Sequence, residues 1–93
     1  MLTQEQLAHM AAAAFAPHEE DVPEKIWVSV YQGTPFVRAA WATGLTCRRI
    51  ERLEVLQTDL SETFGVDFTA VAYWHDYSWA DVDAREAALQ RVR

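Results

Sequence analysis

The chain has little of what stabilises or targets many small extracellular domains. Its 93 residues include one cysteine, three glycines and three prolines. The lone Cys47 cannot form an intramolecular disulfide, and secreted domains of this size usually carry several. No stretch approaches the roughly eighteen apolar residues of a membrane span, and the N-terminus has neither the charge nor the apolar run of a signal peptide. We therefore expect a cytoplasmic protein, either in a bacterium or delivered into one.

Positive charge is also scarce. Eight Lys and Arg against fourteen Asp and Glu give a formal net charge of -6 and a pI near 4.8. Such a charge repels phosphate backbones and anionic lipids, so we expect no nucleic acid and no membrane as partners. It favours instead a larger protein with a basic surface.

The composition that remains is typical of a globular protein, with 51% apolar and 24% charged residues. A chain of this length has room for one hydrophobic core and none for a second. We therefore predict one domain that covers residues 1–93.

Helix signals appear near the N-terminus and in the middle of the chain. Thr3 and Gln6 have the spacing of a capping box, and the helix they begin should end at about Ala16. Residues 46–64 carry apolar side chains at steps of three and four, which predicts the longest helix, and Gly65 ends it.

Strand signals flank this long helix. Residues 25–32 and 66–74 are rich in β-branched and aromatic side chains. Residues 36–42 can return antiparallel to the first strand through a turn at 32–35, and a weaker capping box at Ser78 predicts a last helix. The prediction is an α+β domain of order α-β-β-α-β-α, in which a three-stranded sheet with an antiparallel hairpin packs on the long helix.

The predicted hairpin separates apolar from mixed positions. Its register pairs Tyr31 with Phe36, Val30 with Val37, Val28 with Ala39 and Ile26 with Trp41, and on the other face Trp27 with Ala40 and Ser29 with Arg38. One face is thus apolar and can lie on the helix, as a one-sided antiparallel sheet requires.

Residues 36–57 also allow a second interpretation. Ala40, Gly44 and Ile50 have a spacing that resembles a helix-turn-helix, in which glycine makes the turn between two packed helices. Residues 35–43 would then be helical. The second helix would offer polar residues to a DNA groove: Thr46, Cys47, Arg48, Arg49 and Arg52. The resemblance implies a DNA-binding regulator, whereas the acidic composition favours the hairpin.

No local motif joins the residues that catalysis needs. Candidate nucleophiles and bases are scattered along the chain: Ser29, Cys47, Ser61, Ser78, His9, His18 and His75. The acidic loop that follows Pro17 lacks the ligand spacing of zinc or calcium sites. We expect no catalysis, no cofactor and no metal, although the two arginines after Cys47 would favour its thiolate.

The aromatic residues are more numerous than one small core can bury, and exposed Trp and Tyr beside charge are typical anchors of protein interfaces. The predicted partner-binding residues lie where the last strand meets the last helix: Tyr73, Trp74, Asp76, Tyr77, Trp79, Asp81 and Asp83. The acidic loop supplies the secondary candidates Glu19, Glu20 and Asp21.

These observations predict a small, acidic, non-catalytic binding protein that inhibits a larger basic partner stoichiometrically. A nucleic-acid-handling partner, as for immunity, antitoxin or anti-defence proteins, fits because carboxylates can compete with phosphates for Lys and Arg. The alternatives are the helix-turn-helix regulator over residues 36–57 and a structural homodimer that buries its aromatic residues.

Overall fold

The computed structural model describes residues 2–74, and the predicted last helix from Ser78 lies outside them. The described elements are α1 (Gln4–Phe15), a 3₁₀ turn (Glu19–Asp21), β1 (Lys25–Tyr31), β2 (Thr34–Trp41), α2 (Cys47–Phe64) and β3 (Thr69–Trp74). The α+β prediction is confirmed for this part of the chain. Neither of the two described α-helices is long and apolar enough to cross a membrane.

The sheet is mixed, with β2 at its centre. β1 pairs with β2 in the antiparallel direction, and β3 pairs with β2 in the parallel direction. Parallel neighbours need a long crossover, which α2 provides between β2 and β3. The main core contains residues from both helices and the central strand: Leu7, Ala11, Phe15, Val37, Ala39, Trp41, Leu53, Leu56 and Leu60.

The predicted helix ends are confirmed by their hydrogen bonds. The Thr3 hydroxyl accepts from the Gln6 amide at 3.0 Å, and the Gln6 side chain accepts from the Thr3 amide at 2.9 Å. At the start of α2, the Thr46 hydroxyl accepts from the Arg49 amide at 3.2 Å. Gly65 ends α2 in the left-handed conformation with φ 67°, which glycine adopts without steric cost.

The hairpin is confirmed, but its predicted register is wrong by two residues. Val28 lies opposite Val37, and Ile26 lies opposite Ala39. The turn has two residues instead of four, and both have positive φ, 51° at Gln32 and 79° at Gly33. Such turns match the twist of the flanking strands, so the hairpin closes earlier than predicted.

Because side chains alternate along a strand, a shift of two residues leaves every side chain on its predicted face. Val37, Ala39 and Trp41 of β2 are accordingly buried in the main core. Val30 differs: it is 42% exposed, as the last position on this face before the turn.

The strand predicted over 66–74 is wrong at its start, since β3 begins at Thr69. The backbone of Phe68 is bonded to α2 and not to a neighbouring strand. Its amide donates to the Ser61 hydroxyl at 3.0 Å, and its carbonyl accepts from the Gln57 side chain at 2.6 Å.

Residues 36–57 do not form a helix-turn-helix. Residues 35–41 belong to β2 and only the segment from Cys47 is helical, so the first helix of that motif does not exist. β2 is the central strand and its residues 37–41 are all buried, which explains why the hairpin prevails over a helix at Thr34 and Pro35.

The other face of the sheet, predicted as mixed, holds a buried polar contact. Arg38 is 4% exposed; its Nε donates to the Ser29 hydroxyl at 2.9 Å and its Nη1 to the Tyr73 hydroxyl at 2.6 Å. Trp27 stacks on the Tyr73 ring, with 5.8 Å between centroids. Polar side chains on this face are therefore paired inside the fold.

We predict that Gly33→Ala lowers the free energy of unfolding by about 1 kcal/mol, because an L side chain is strained at its positive φ. Gly44→Ala is the matched control. A Cβ at either position meets nothing within 4 Å, but Gly44 does not have a positive φ. Urea denaturation should show Gly44→Ala to be neutral or slightly stabilising, and equal effects would contradict the two-residue turn.

Candidate functional site

A buried carboxylate ties the 3₁₀ turn to the start of α2. Asp21 is 4% exposed, and its Oδ1 accepts from Arg49 Nε at 2.9 Å while its Oδ2 accepts from Arg48 Nε. Arg48 Nη2 also lies 3.3 Å from Glu20 Oε1. One acidic turn thus neutralises two arginines of α2. We call Asp21, Arg48 and Arg49 the arginine clamp.

The neighbouring elements hold the clamp in place. Arg49 Nη1 donates to the Thr43 hydroxyl and to the Gly44 carbonyl, both at 2.7 Å. The Trp41 indole donates to the Asp21 carbonyl at 2.8 Å, and the Arg49 guanidinium lies 5.8 Å from the Trp41 ring centroid. The end of β2, the turn and the start of α2 therefore meet at one point.

The clamp keeps Asp21 ionised. The hydrogen bond from Arg49 is the largest influence on the pKa of Asp21 and the bond from Arg48 is the next; both lower it. Burial raises the same pKa, but the two guanidinium groups prevail, and the pKa lies below its ordinary value.

The clamp changes the role of two sets of predicted site residues. Asp21 is buried in an internal ion pair, whereas Glu19 and Glu20, the other secondary candidates for partner binding, are exposed. Arg48 and Arg49, which the helix-turn-helix interpretation assigned to DNA, contact the protein's own carboxylates.

The predicted aromatic anchor is only partly described. Tyr73 is 5% exposed and is held by Trp27 and Arg38, so it does not offer its ring to a partner. Trp74 is 42% exposed. Five of the predicted residues lie outside residues 2–74 and stay a prediction: Asp76, Tyr77, Trp79, Asp81 and Asp83.

The acidic turn has donors that resemble a metal-ligand set. One ligand atom from each of His18, Glu20 and Asp21 lies within 4.8 Å of the others. Both oxygens of Asp21 already accept from arginines, and Glu20 faces Arg48. A cation here would face two guanidinium charges, so the chemistry of this cluster is ion pairing.

Two candidate nucleophiles have structural hydrogen bonds. The Ser29 hydroxyl accepts from Arg38, and Ser61 connects α2 with Phe68. Cys47 is exposed at the first residue of α2.

The sequence analysis missed an acidic face on α2. Its residues are exposed and recur at steps of three and four, which places them on one side of the helix: Glu51, Glu54, Val55, Thr58, Asp59 and Glu62. Leu53, Leu56 and Leu60 occupy the buried side. The same periodicity that revealed the core stripe could have revealed this acidic stripe, had the polar positions been aligned as well.

The connection after α2 extends the acidic face. Gln57 and Ser61 bind the backbone of Phe68 and draw this connection onto the helix. A polar groove of about 630 Å³ results, with Glu54, Glu62 and Asp67 among its lining residues. We define the α2 acidic surface as Glu51, Glu54, Val55, Thr58, Asp59, Glu62 and Asp67.

The carboxylates of this surface are not paired with cations of the described chain. Within residues 2–74, no ion pair involves Glu51, Glu54, Asp59, Glu62 or Asp67. A second groove of about 460 Å³ lies between α1 and the end of α2, where Met10 and Phe64 supply apolar lining and Glu5 and His9 polar lining.

Comparison of the chain with protein-family models, curated proteins and solved structures finds no match.

We predict that Asp21→Asn lowers the melting temperature by several degrees at pH 7, because Arg49 loses its carboxylate partner and Arg48 keeps only Glu20. The folded-state pKa of Asp21 lies below the unfolded one. The ionised Asp21 therefore stabilises the fold fully above its unfolded-state pKa, and this stabilisation is lost as the pH falls through its folded-state pKa. The melting temperatures of wild type and Asp21→Asn should accordingly approach each other as the pH falls below about 4.

Glu19→Gln is the control for this measurement, since Glu19 is exposed in the same turn. It should leave the melting temperature unchanged across the pH range. A difference between wild type and Asp21→Asn that does not vary with pH would contradict the clamp.

Proposed function

We propose that the protein is a non-catalytic binding protein that blocks a basic surface of a larger protein, and that the α2 acidic surface makes the contact. This proposal rests on which charged side chains are paired inside the fold and which are exposed. The arginine clamp pairs Arg48 and Arg49 internally, whereas the carboxylates of α2 are exposed and form no ion pair within residues 2–74.

The placement of these carboxylates does not serve the stability of the helix. Asp59 and Glu62 lie in the last two turns of α2, where the helix dipole disfavours negative charge. They are also spaced three residues apart, as are Glu51 and Glu54, so like charges repel along the helix. A basic partner would relieve both unfavourable terms on binding, which supports a role in recognition.

The surface also offers apolar contact area. Val55 is 38% exposed between the acidic residues, and Val66, beside Asp67, is 50% exposed. Interfaces combine an apolar centre with charged residues that guide association, and the α2 acidic surface has both components.

We predict that Glu62→Lys weakens partner binding at least about tenfold, because it places a cation against a basic surface. The same substitution should raise the free energy of unfolding by about 0.5 kcal/mol, because a cation suits the last turn of α2 and no longer repels Asp59. If the Glu62→Lys variant is more stable than wild type and yet binds less tightly, its loss of binding is not caused by a loss of folding.

Glu19→Lys is the matched control, since it changes the net charge equally on the exposed acidic turn. Immobilised wild type and both variants are exposed to lysate of the native cell, and proteins retained by wild type and Glu19→Lys but not by Glu62→Lys are identified by mass spectrometry. The purified protein should be basic and bind in a 1:1 complex whose association rate falls with salt. If Glu62→Lys bound the partner as well as wild type does, the proposed surface would be contradicted. If only Glu19→Lys lost binding, the contact would be assigned to the acidic turn instead.

We predict that the wild-type protein does not shift duplex DNA in a mobility assay at physiological salt. Arg48 and Arg49 are engaged by Asp21, and the rest of the described surface is mostly acidic, so few phosphate contacts are available. A shift that Arg48→Ala with Arg49→Ala abolishes would contradict this and favour a nucleic-acid function.

A further inference from the structure

The arginine clamp has the geometry with which proteins bind oxyanions. Two guanidinium groups donate to the two oxygens of one carboxylate, through Arg49 Nε to Oδ1 at 2.9 Å and through Arg48 Nε to Oδ2. Arginine side chains bind carboxylate and phosphate groups through such charge-assisted hydrogen bonds. Here the bound carboxylate belongs to the chain itself.

We propose that Arg48 and Arg49 form an oxyanion site that Asp21 holds closed, as an autoinhibitory contact within the chain. The ligand class is a small oxyanion, such as a phosphate group or a carboxylate. An external anion must displace Asp21 to reach both arginines. This inference goes beyond the proposed function, and it concerns the start of α2 and not the α2 acidic surface.

One arginine of the site does not depend on Asp21 alone for its position. Arg49 is anchored independently through the Thr43 hydroxyl and the Gly44 carbonyl, and it lies beside the Trp41 ring. Its side chain is 12% exposed, so it is screened little by solvent. Arg48 is 47% exposed and provides the open side through which an anion enters.

The closing residue lies on a short element. Asp21 ends a single 3₁₀ turn, and its backbone carbonyl is held by the Trp41 indole. Its carboxylate is 5% exposed and fills the space between the arginines. Removing this one side chain leaves Arg49 without a carboxylate partner among the described residues and leaves Arg48 paired only with Glu20.

The test is a titration of Asp21→Ala with inorganic phosphate, in which calorimetry measures binding and thermal melting measures stabilisation. We expect phosphate to bind saturably to the variant, at least about tenfold more tightly than to wild type. In wild type Asp21 occupies the two arginines most of the time, and in the variant it cannot. Phosphate should also recover the melting temperature that the substitution removes, as any ligand specific to the folded state does. Acetate, added at the same ionic strength, shows whether a carboxylate serves as well.

Two controls separate the site from a general effect of salt. Glu19→Ala removes an exposed carboxylate of the same turn and should behave as wild type. Asp21→Ala combined with Arg48→Gln and Arg49→Gln should lose phosphate binding, with circular dichroism to show that it is folded. If Asp21→Ala does not fold even in phosphate, Asp21→Asn takes its place in the same titration.

The inference is overturned if phosphate binds no tighter to the folded Asp21 variant than to wild type. It is also overturned if the triple variant retains the binding, because the arginines would then not be the ligands. Neither result bears on the α2 acidic surface, whose test uses Glu62→Lys and a protein partner.

Discussion

The ion pair between Asp21 and two arginines of α2 is the contact on which the rest of the arrangement depends. It joins the acidic turn to the helix, and through the Trp41 indole and the Arg49 side chain it joins both to the end of β2. It also decides which charges face outward. Arg48 and Arg49 are paired with carboxylates of the acidic turn, whereas Glu51, Glu54, Asp59 and Glu62 of the same helix are exposed without an ion pair in residues 2–74.

The charged side chains of α2 are distributed along the helix in a way that would destabilise an isolated helix. Arg48 and Arg49 lie in its first turn, and Asp59 and Glu62 lie in its last two turns, opposite to the preference of the helix dipole. The helix forms because Leu53, Leu56 and Leu60 are buried against the sheet and α1, and burial of such side chains outweighs the small electrostatic cost. The opposite side of the helix is exposed and carries the acidic residues.

Local patterns predicted the elements well because their causes are local. Capping residues sit within three positions of the amides they satisfy, and the apolar stripe of α2 follows the helical period, so Thr3, Thr46 and Gly65 marked helix ends correctly. The candidate site was predicted less well. The acidic character of the protein was evident from composition, but Asp21 was expected on the surface and the α2 acidic surface was overlooked.

The sequence by itself determined the α+β class, the hairpin and the faces of its strands, because alternation and helical period are properties of neighbouring residues. Only the tertiary structure decided the register of the hairpin, because a shift of two residues keeps every side chain on the same face. The two-residue turn at Gln32 and Gly33, and not a longer turn, fixes that register. Only the fold could bring Asp21 to Arg48, 27 positions away, and Arg38 to Tyr73, 35 positions away. Such pairs depend on how elements pack, and packing decides whether a charged or aromatic residue meets solvent or the interior of its own chain.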